Sequence, residues 1–234
     1  MVRDQRPYML IGSPPCTPYS TIQNLNMRTE QGRRKVEEAR KKGDVHLRFC
    51  ALLYREQMRC GRYFVHEHPK TAASWNHPDI KALRDDPRTV LAEADLCQFG
   101  LMSKDKDGEG HAMKPTTFLT NSLEKQKTLS RKCTKGQHRH VHLMEGRASA
   151  AQVYPKGLCR AIVRGTQRQA RVDRGNLVSM KCVDNNVEVM AVEMEPVTWK
   201  RYWDDMSGKE LKGELVEAAR AEEIDTCLLY TSDA

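Results

Sequence analysis

The first contiguous apolar block of the chain is Tyr8-Met9-Leu10-Ile11, and it stops at Gly12-Ser13-Pro14-Pro15. Proline cannot donate to a sheet ladder, so an apolar run closed this way predicts a short buried strand over 7–12. Residues 17–32 are polar, rich in Asn, Thr and Gln, and predict a loop. From 33 to 60 the pattern becomes helical. Arg33 to Lys42 is charged and carries no apolar stripe, so it reads as solvated. Val45, Phe49, Leu52 and Leu53 then recur at helical spacing, and Gly61 supplies a stop. A second block, Arg62 to Pro69, is again apolar and again closed by proline. Strand, polar loop, helix and strand make the βαβ unit of a parallel sheet.

Residues 76–86 predict another helix with Ile80 and Leu83 inward, and 90–99 a third strand, or an irregular one, ending at Gly100. Residues 104–110 (KDKDGEG) form a turn insert, after which Phe118-Leu119-Thr120 reads as a return strand. Residues 130–147 are a basic, His-rich loop. A helix follows over 153–163, with Leu158 and Ile162 on one face, and the pattern weakens beyond Gly165. A strand over 187–192 and a helix over 210–223 complete the reading. No internal repeat is visible, and the fold class is α/β.

A length of 234 residues fits one ordinary domain, or one domain and a tail. No apolar run reaches the length of a membrane-spanning helix, and no apolar signal region stands at the N-terminus. The net charge of +8 favours a polyanionic partner such as nucleic acid, against the plainer reading of a solvated basic surface. Eight cysteines without a CxxC pair read as reduced thiols, which predicts an intracellular protein of cytoplasm or nucleus.

Candidate chemistry begins at Cys16. A thiol just past the C-terminal end of a parallel strand lies where such sheets place their ligand crevice. Flanking prolines would hold it near one attack direction. A buried structural cysteine is the alternative for a lone thiol. Glu67 changes the balance, because the next parallel strand delivers it to the same sheet edge.

These residues resemble DNA cytosine-5 methyltransferases. Pro14-Pro15-Cys16-Thr17-Pro18-Tyr19-Ser20 is similar to the family's PPCQxFS motif, and His66-Glu67-His68-Pro69 to its ENV or ENP motif. Cys97-Gln98-Phe99-Gly100 and Lys114-Pro115-Thr116-Thr117-Phe118-Leu119-Thr120-Asn121 resemble the CQYG…KPTxxxTN signature of phage-like members. Ala151, Tyr154, Pro155, Leu158 and Cys159 resemble the element that follows it. The four elements run in the family's order over about residues 7–165. The resemblance implies the C-terminal part of a Rossmann-like, S-adenosylmethionine-dependent methyltransferase sheet. It implies DNA as partner and a cytosine flipped into the pocket. Cys16 would attack C6 of the ring and Glu67 would hold N3 and the exocyclic amine. Ser20 would contact nucleic acid, and Lys114 would face the DNA or the catalytic turn; Arg164 and Arg168 are candidates for phosphate contact on the charge of their helix face.

The chain departs from the family in three ways. No glycine-rich turn after a strand is present to hold the cofactor, so the sequence reads as a fragment lacking its cofactor half and inactive alone. HEHP stands where ENV is usual, and in an extended strand His66 and His68 point to the face opposite Glu67. Lys114 is the one basic residue where the family carries QxRxR. The stretch Trp203-Asp204-Asp205-Met206-Ser207-Gly208 resembles the junction before a reverse transcriptase in copia-type retroelement polyproteins of some protists. The alternative reading is therefore a non-catalytic nucleic-acid-binding relic within such a polyprotein. The organisation read from these features is 1–165 catalytic-half fragment, 166–198 linker or accessory segment and 199–226 helical junction, loosely folded. Residues 227–234 resemble a translated sequencing adapter and are excluded.

Further residues bear on metal binding, packing and phosphate contact. Cys133, His138, His140 and His142 make a C-x4-H-x-H-x-H cluster, read as a basic loop rather than a metal site because a fourth ligand is hard to close; no metal is assigned. Cys97 and Cys159 read as packing residues, and Trp75 as core rather than a stacking platform. Arg160, Arg164, Arg168, Arg171 and Arg174 line one side of the 153–163 helix and its exit, facing phosphate or solvent.

Overall fold

A computed structural model describes residues 2–134, 136, 138–143, 147–183, 202–203, 210–211 and 214. In chain order the elements are α1 (Val2–Gln5), β1 (Met9–Gly12), α2 (Gln23–Asn26), α3 (Glu30–Arg59), β2 (Tyr63–Pro69) and α4 (Pro78–Arg84). Then come β3 (Val90–Asp95), β4 (Met102–Asp105), β5 (Gly108–Ala112), β6 (Pro115–Thr120) and α5 (Leu123–Leu129). They are followed by β7 (His140–Val141), α6 (Arg147–Ala150), α7 (Lys156–Val183), β8 (Tyr202–Trp203) and β9 (Glu210–Leu211). The chain divides into two compact units, Met1–Asn186 and Val187–Ala234. In the second, the described residues are the short antiparallel pair β8–β9 and Glu214.

The first unit is α/β, as predicted. Its main sheet has the order β1-β2-β6-β3. β1 and β2 are parallel, joined through α3, in the predicted βαβ arrangement. β6 runs antiparallel between β2 and β3, so the return strand ends in the middle of the sheet. A smaller sheet, β4-β5-β7, holds the hairpin that the KDKDGEG insert turns.

Helices cover both faces of the main sheet, and β2 alternates its side chains between them. Val65 joins Ala92, Phe118, Leu129, Leu158 and Ile162 in one core. Phe64 joins Leu47, Ala51, Tyr54, Trp75, Ile80 and Leu119 in the other. Ile80, Leu83, Leu158 and Ile162 point inward as predicted. Close approach is bought with glycine at two helix positions. A Cβ on Gly157 would lie 2.3 Å from the Phe99 carbonyl oxygen, and one on Gly165 would lie 2.6 Å from Thr128 Oγ1 on α5.

Four expectations are corrected. Residues 17–32 are not one loop: a 3₁₀ turn at Thr17–Tyr19 and α2 lie there, and α3 starts at Glu30, with the Thr29 hydroxyl accepting from Gly32 N. The apolar stripe of α3 faces the wrong way. Val45, Phe49 and Leu52 are 64%, 58% and 62% exposed, while Val36, Gly43, Leu47, Ala51, Tyr54 and Gln57 are buried. Apolar residues occupy two faces of this helix, and the face carrying Tyr54 and Leu47 wins because it meets Phe64 and Trp75 of the second core. The helix expected over 153–163 runs unbroken past Gly165 to Val183. It is tied back to the sheet by Asp173, whose carboxylate accepts from the Tyr8 and Tyr63 hydroxyls at 2.7 and 2.9 Å. Glu210 and Leu211 are extended rather than helical, because they pair with Trp203 and Tyr202. The expected strand over 187–192, most of the 210–223 helix and the 227–234 segment lie outside the described residues.

Candidate active site

The parallel pair carries Cys16 and Glu67 to one end of the sheet. Gly12 ends β1, and a Cβ there would meet the Tyr54 hydroxyl at 1.9 Å, so the strand passes over Tyr54 without a side chain. Pro14 and Pro15 turn the chain out, and half-buried Cys16 caps the 3₁₀ turn that follows.

The histidines of HEHP hold this turn from beneath. In an extended strand His66 and His68 share one face and Glu67 takes the other, as predicted. Their rings stack, with centroids 5.0 Å apart, against Trp75. His68 Nε2 lies 2.9 Å from the Pro14 carbonyl oxygen and Nδ1 2.5 Å from Ser74 Oγ. A carbonyl only accepts, so Nε2 carries the proton and Nδ1 accepts from the serine. Burial pulls both imidazoles toward the neutral form, His66 well below 6.5. His68 thus clamps β2 to the proline turn.

Glu67 is 4% exposed. Its Oε2 accepts from Ser13 Oγ at 2.6 Å and from the Tyr154 hydroxyl at 3.2 Å. Its Oε1 is buried and has no hydrogen-bond partner. An unsatisfied buried carboxylate oxygen is costly and calls for an explanation such as a ligand. Burial pushes the Cys16 thiol above its ordinary 9.0; the Lys114 charge opposes this and the Glu67 charge adds to it. Three residues far apart in sequence thus share one electrostatic corner. Lys114 also donates from Nζ to the Ala151 carbonyl at 3.2 Å, which fixes it between β5 and β6. Burial and the neighbouring carboxylate raise the Tyr154 phenol, so it stays a donor.

The other residues named from sequence lie elsewhere. Ser20 lines a polar cleft of about 460 Å³ with Arg40, Lys70 and Trp75. Arg164 and Arg168 stand exposed on α7, outside the hydrogen bonds that Glu67 makes with Ser13 and Tyr154. Trp75 is core, donating from Nε1 to the Pro69 carbonyl. Cys159 is exposed rather than a packing residue. Sequence reasoning missed Ser13 and Tyr154 as the residues that hold Glu67. Ser13 sits between the strand and Pro14, where a short hydroxyl is a usable cue, but nothing local marks Tyr154.

The His-rich segment also departs from the reading. Cys97, Cys133, His138 and His140 bring one ligand atom each within 4.8 Å of one another. His142 is exposed and outside this group, so buried Cys97 stands where His142 was expected. No helix of the described residues is long and apolar enough to cross a membrane. Compared with family models, curated proteins and solved structures, the chain has no significant match.

Proposed function

We propose that this chain carries the nucleophilic, base-holding corner of a DNA cytosine-5 methyltransferase-like protein. On this reading the β1-β2-β6-β3 sheet is the catalytic part of a Rossmann-like methyltransferase sheet. The observation that carries the reading is the buried, unpartnered Oε1 of Glu67 in the same electrostatic corner as Cys16. That oxygen is the atom left to meet a base edge. It accepts from the exocyclic amine or, when protonated, donates to N3. The chain's charge of +8 suits a polyanion.

The chemistry follows from those atoms. The Cys16 thiolate adds to C6 of a flipped cytosine, forming a C6–S bond and moving the C5–C6 π pair toward C5 and the ring. Lys114 favours the thiolate, and Glu67, when protonated, donates to N3 as negative charge reaches it. Water then protonates C5. The hydroxide so formed takes the original C5 hydrogen as a proton, which restores the double bond and expels the thiolate.

The resemblance also implies S-adenosylmethionine, but the residues present do not fit it. β1 leads into Pro14-Pro15 and β2 into Pro69-Lys70, so neither strand is followed by a glycine-rich turn. No step is therefore assigned to that cofactor. The second reading is nucleic-acid binding without methyl transfer, which needs no cofactor.

Exchange at C5 needs no cofactor and separates the two. The full chain is incubated with duplex DNA carrying [5-³H]deoxycytidine, and tritium release to water is measured beside a gel-shift assay. Release that disappears in Cys16→Ser and falls in Glu67→Gln supports the catalytic corner. DNA binding without release leaves the second reading, and release unaffected by Cys16→Ser ends the first.

A further inference from the structure

We propose that Cys97, Cys133, His138 and His140 bind one zinc ion in a closed, structural Cys2His2 tetrahedron. Cys97 lies in the 3₁₀ turn Leu96–Phe99 after β3, Cys133 in the segment after α5, His138 just before β7 and His140 at its start. Their ligand atoms lie within 4.8 Å of one another. Cys133 Sγ is 3.7 Å from His138 Nε2 and 3.5 Å from His140 Nε2. Zinc bonds of about 2.3 Å to sulfur and about 2.05 Å to nitrogen, at the tetrahedral angle, place sulfur and nitrogen about 3.6 Å apart. Both separations therefore match an edge of the zinc tetrahedron before any metal is present.

Hydrogen bonding alone explains the arrangement poorly. A thiol has one proton, yet two imidazole Nε2 atoms turn to the same sulfur. A cation placed among the four atoms satisfies all of them. Two thiolates and two imidazoles in tetrahedral array select zinc among common cellular metals, and four protein ligands leave no open position for catalysis.

The surrounding structure is built to hold these ligands. The Cys133 N–H donates to Asp95 Oδ2 at 2.9 Å, and Asp95 N donates to the Arg131 carbonyl at 2.8 Å. These bonds strap the Cys133 segment along the end of β3, beside Cys97. β7 pairs in parallel with β5, His140 opposite His111, which fixes the second pair of ligands. The His111 ring packs on His138 with centroids 4.0 Å apart and orients it. Such a metal would staple the small sheet to the end of β3. Leu96, next to Cys97, donates from its N–H to the Lys114 carbonyl at 3.1 Å, so the staple reaches the segment that carries Lys114.

The test uses the full chain purified from zinc-supplemented medium. Metal analysis should find about one zinc per chain. Cobalt exchanged into the site should show thiolate charge transfer and the intense visible bands of a tetrahedral centre. Cys97→Ser and His140→Ala should lose the metal, and His142→Ala and Cys159→Ser should keep it. Should the ligand variants fail to fold, alkylation of half-buried Cys133 in the unmodified chain decides. It should be slow with zinc bound and speed up on chelation. A chain without zinc, a Cys97–Cys133 disulfide, retention of zinc by Cys97→Ser, or alkylation of Cys133 indifferent to chelation would each overturn the assignment.

Discussion

Lys125 offers a prediction independent of catalysis. It lies on α5, fully buried against α7. Its ammonium donates to the Ile162 carbonyl and, at 2.6 Å, to Thr166 Oγ1. Neither partner is charged, and burial pulls the group down to about 8 from 10.5. A tenfold change in proton affinity is worth about 1.4 kcal/mol, so keeping this lysine charged in the fold costs about 3 kcal/mol near neutral pH. Lys125→Met keeps the stem and removes the charge. The Ile162 carbonyl still accepts from Thr166 Oγ1 at 3.1 Å, so no orphan acceptor results. The sign follows from proton counting. Below pH 8 both states are protonated and the cost is constant. Between 8 and 10.5 the unfolded chain binds more protons, so wild-type stability rises with pH. Above that range the cost has gone. Urea unfolding of both proteins from about pH 7 to about pH 10.5 reads this directly. Lys125→Met should be more stable at pH 7 by up to about 3 kcal/mol, with the gap closing as pH rises. A gap of constant size, or a variant less stable at pH 7, would refute the reasoning.

Other outcomes follow from the same structure. Gly157→Ala forces a methyl into the Phe99 carbonyl and should cost about 1–3 kcal/mol in denaturant unfolding. Alkylation of Cys16, mapped by mass spectrometry, should rise with pH through an inflection above 9.0, and Lys114→Met should move that inflection higher. His66 and His68 are buried in neutral form with depressed proton affinity. The unfolded chain therefore binds more protons as pH falls below about 6.5, and stability should decline there. The double variant His66→Gln, His68→Gln should show a flatter acid limb when chemical denaturation is repeated at each pH.

The legible parts of the fold were those governed by near neighbours. Proline ended both parallel strands, and two such strands around a helix implied the parallel pair. Alternation along β2 set Glu67 apart from His66 and His68. The same rules misjudged α3, because a helix with apolar residues on two faces has no preferred face until a sheet meets it. They stopped α7 too soon, since the long-range bonds from Asp173 to Tyr8 and Tyr63 leave no trace in helical periodicity.

At the candidate site, residue types and strand ends were enough to bring Cys16 and Glu67 to one end of the sheet. Their environment was not readable. Glu67 is held by Ser13, 54 residues away, and Tyr154, 87 residues away. Cys97 replaces His142 in the proposed zinc group because β3 ends beside the Cys133 segment. Periodicity and motif spacing describe how a chain relates to its immediate neighbours along the backbone. Which distant side chains meet depends on strand order and register, and those are set by packing the whole domain.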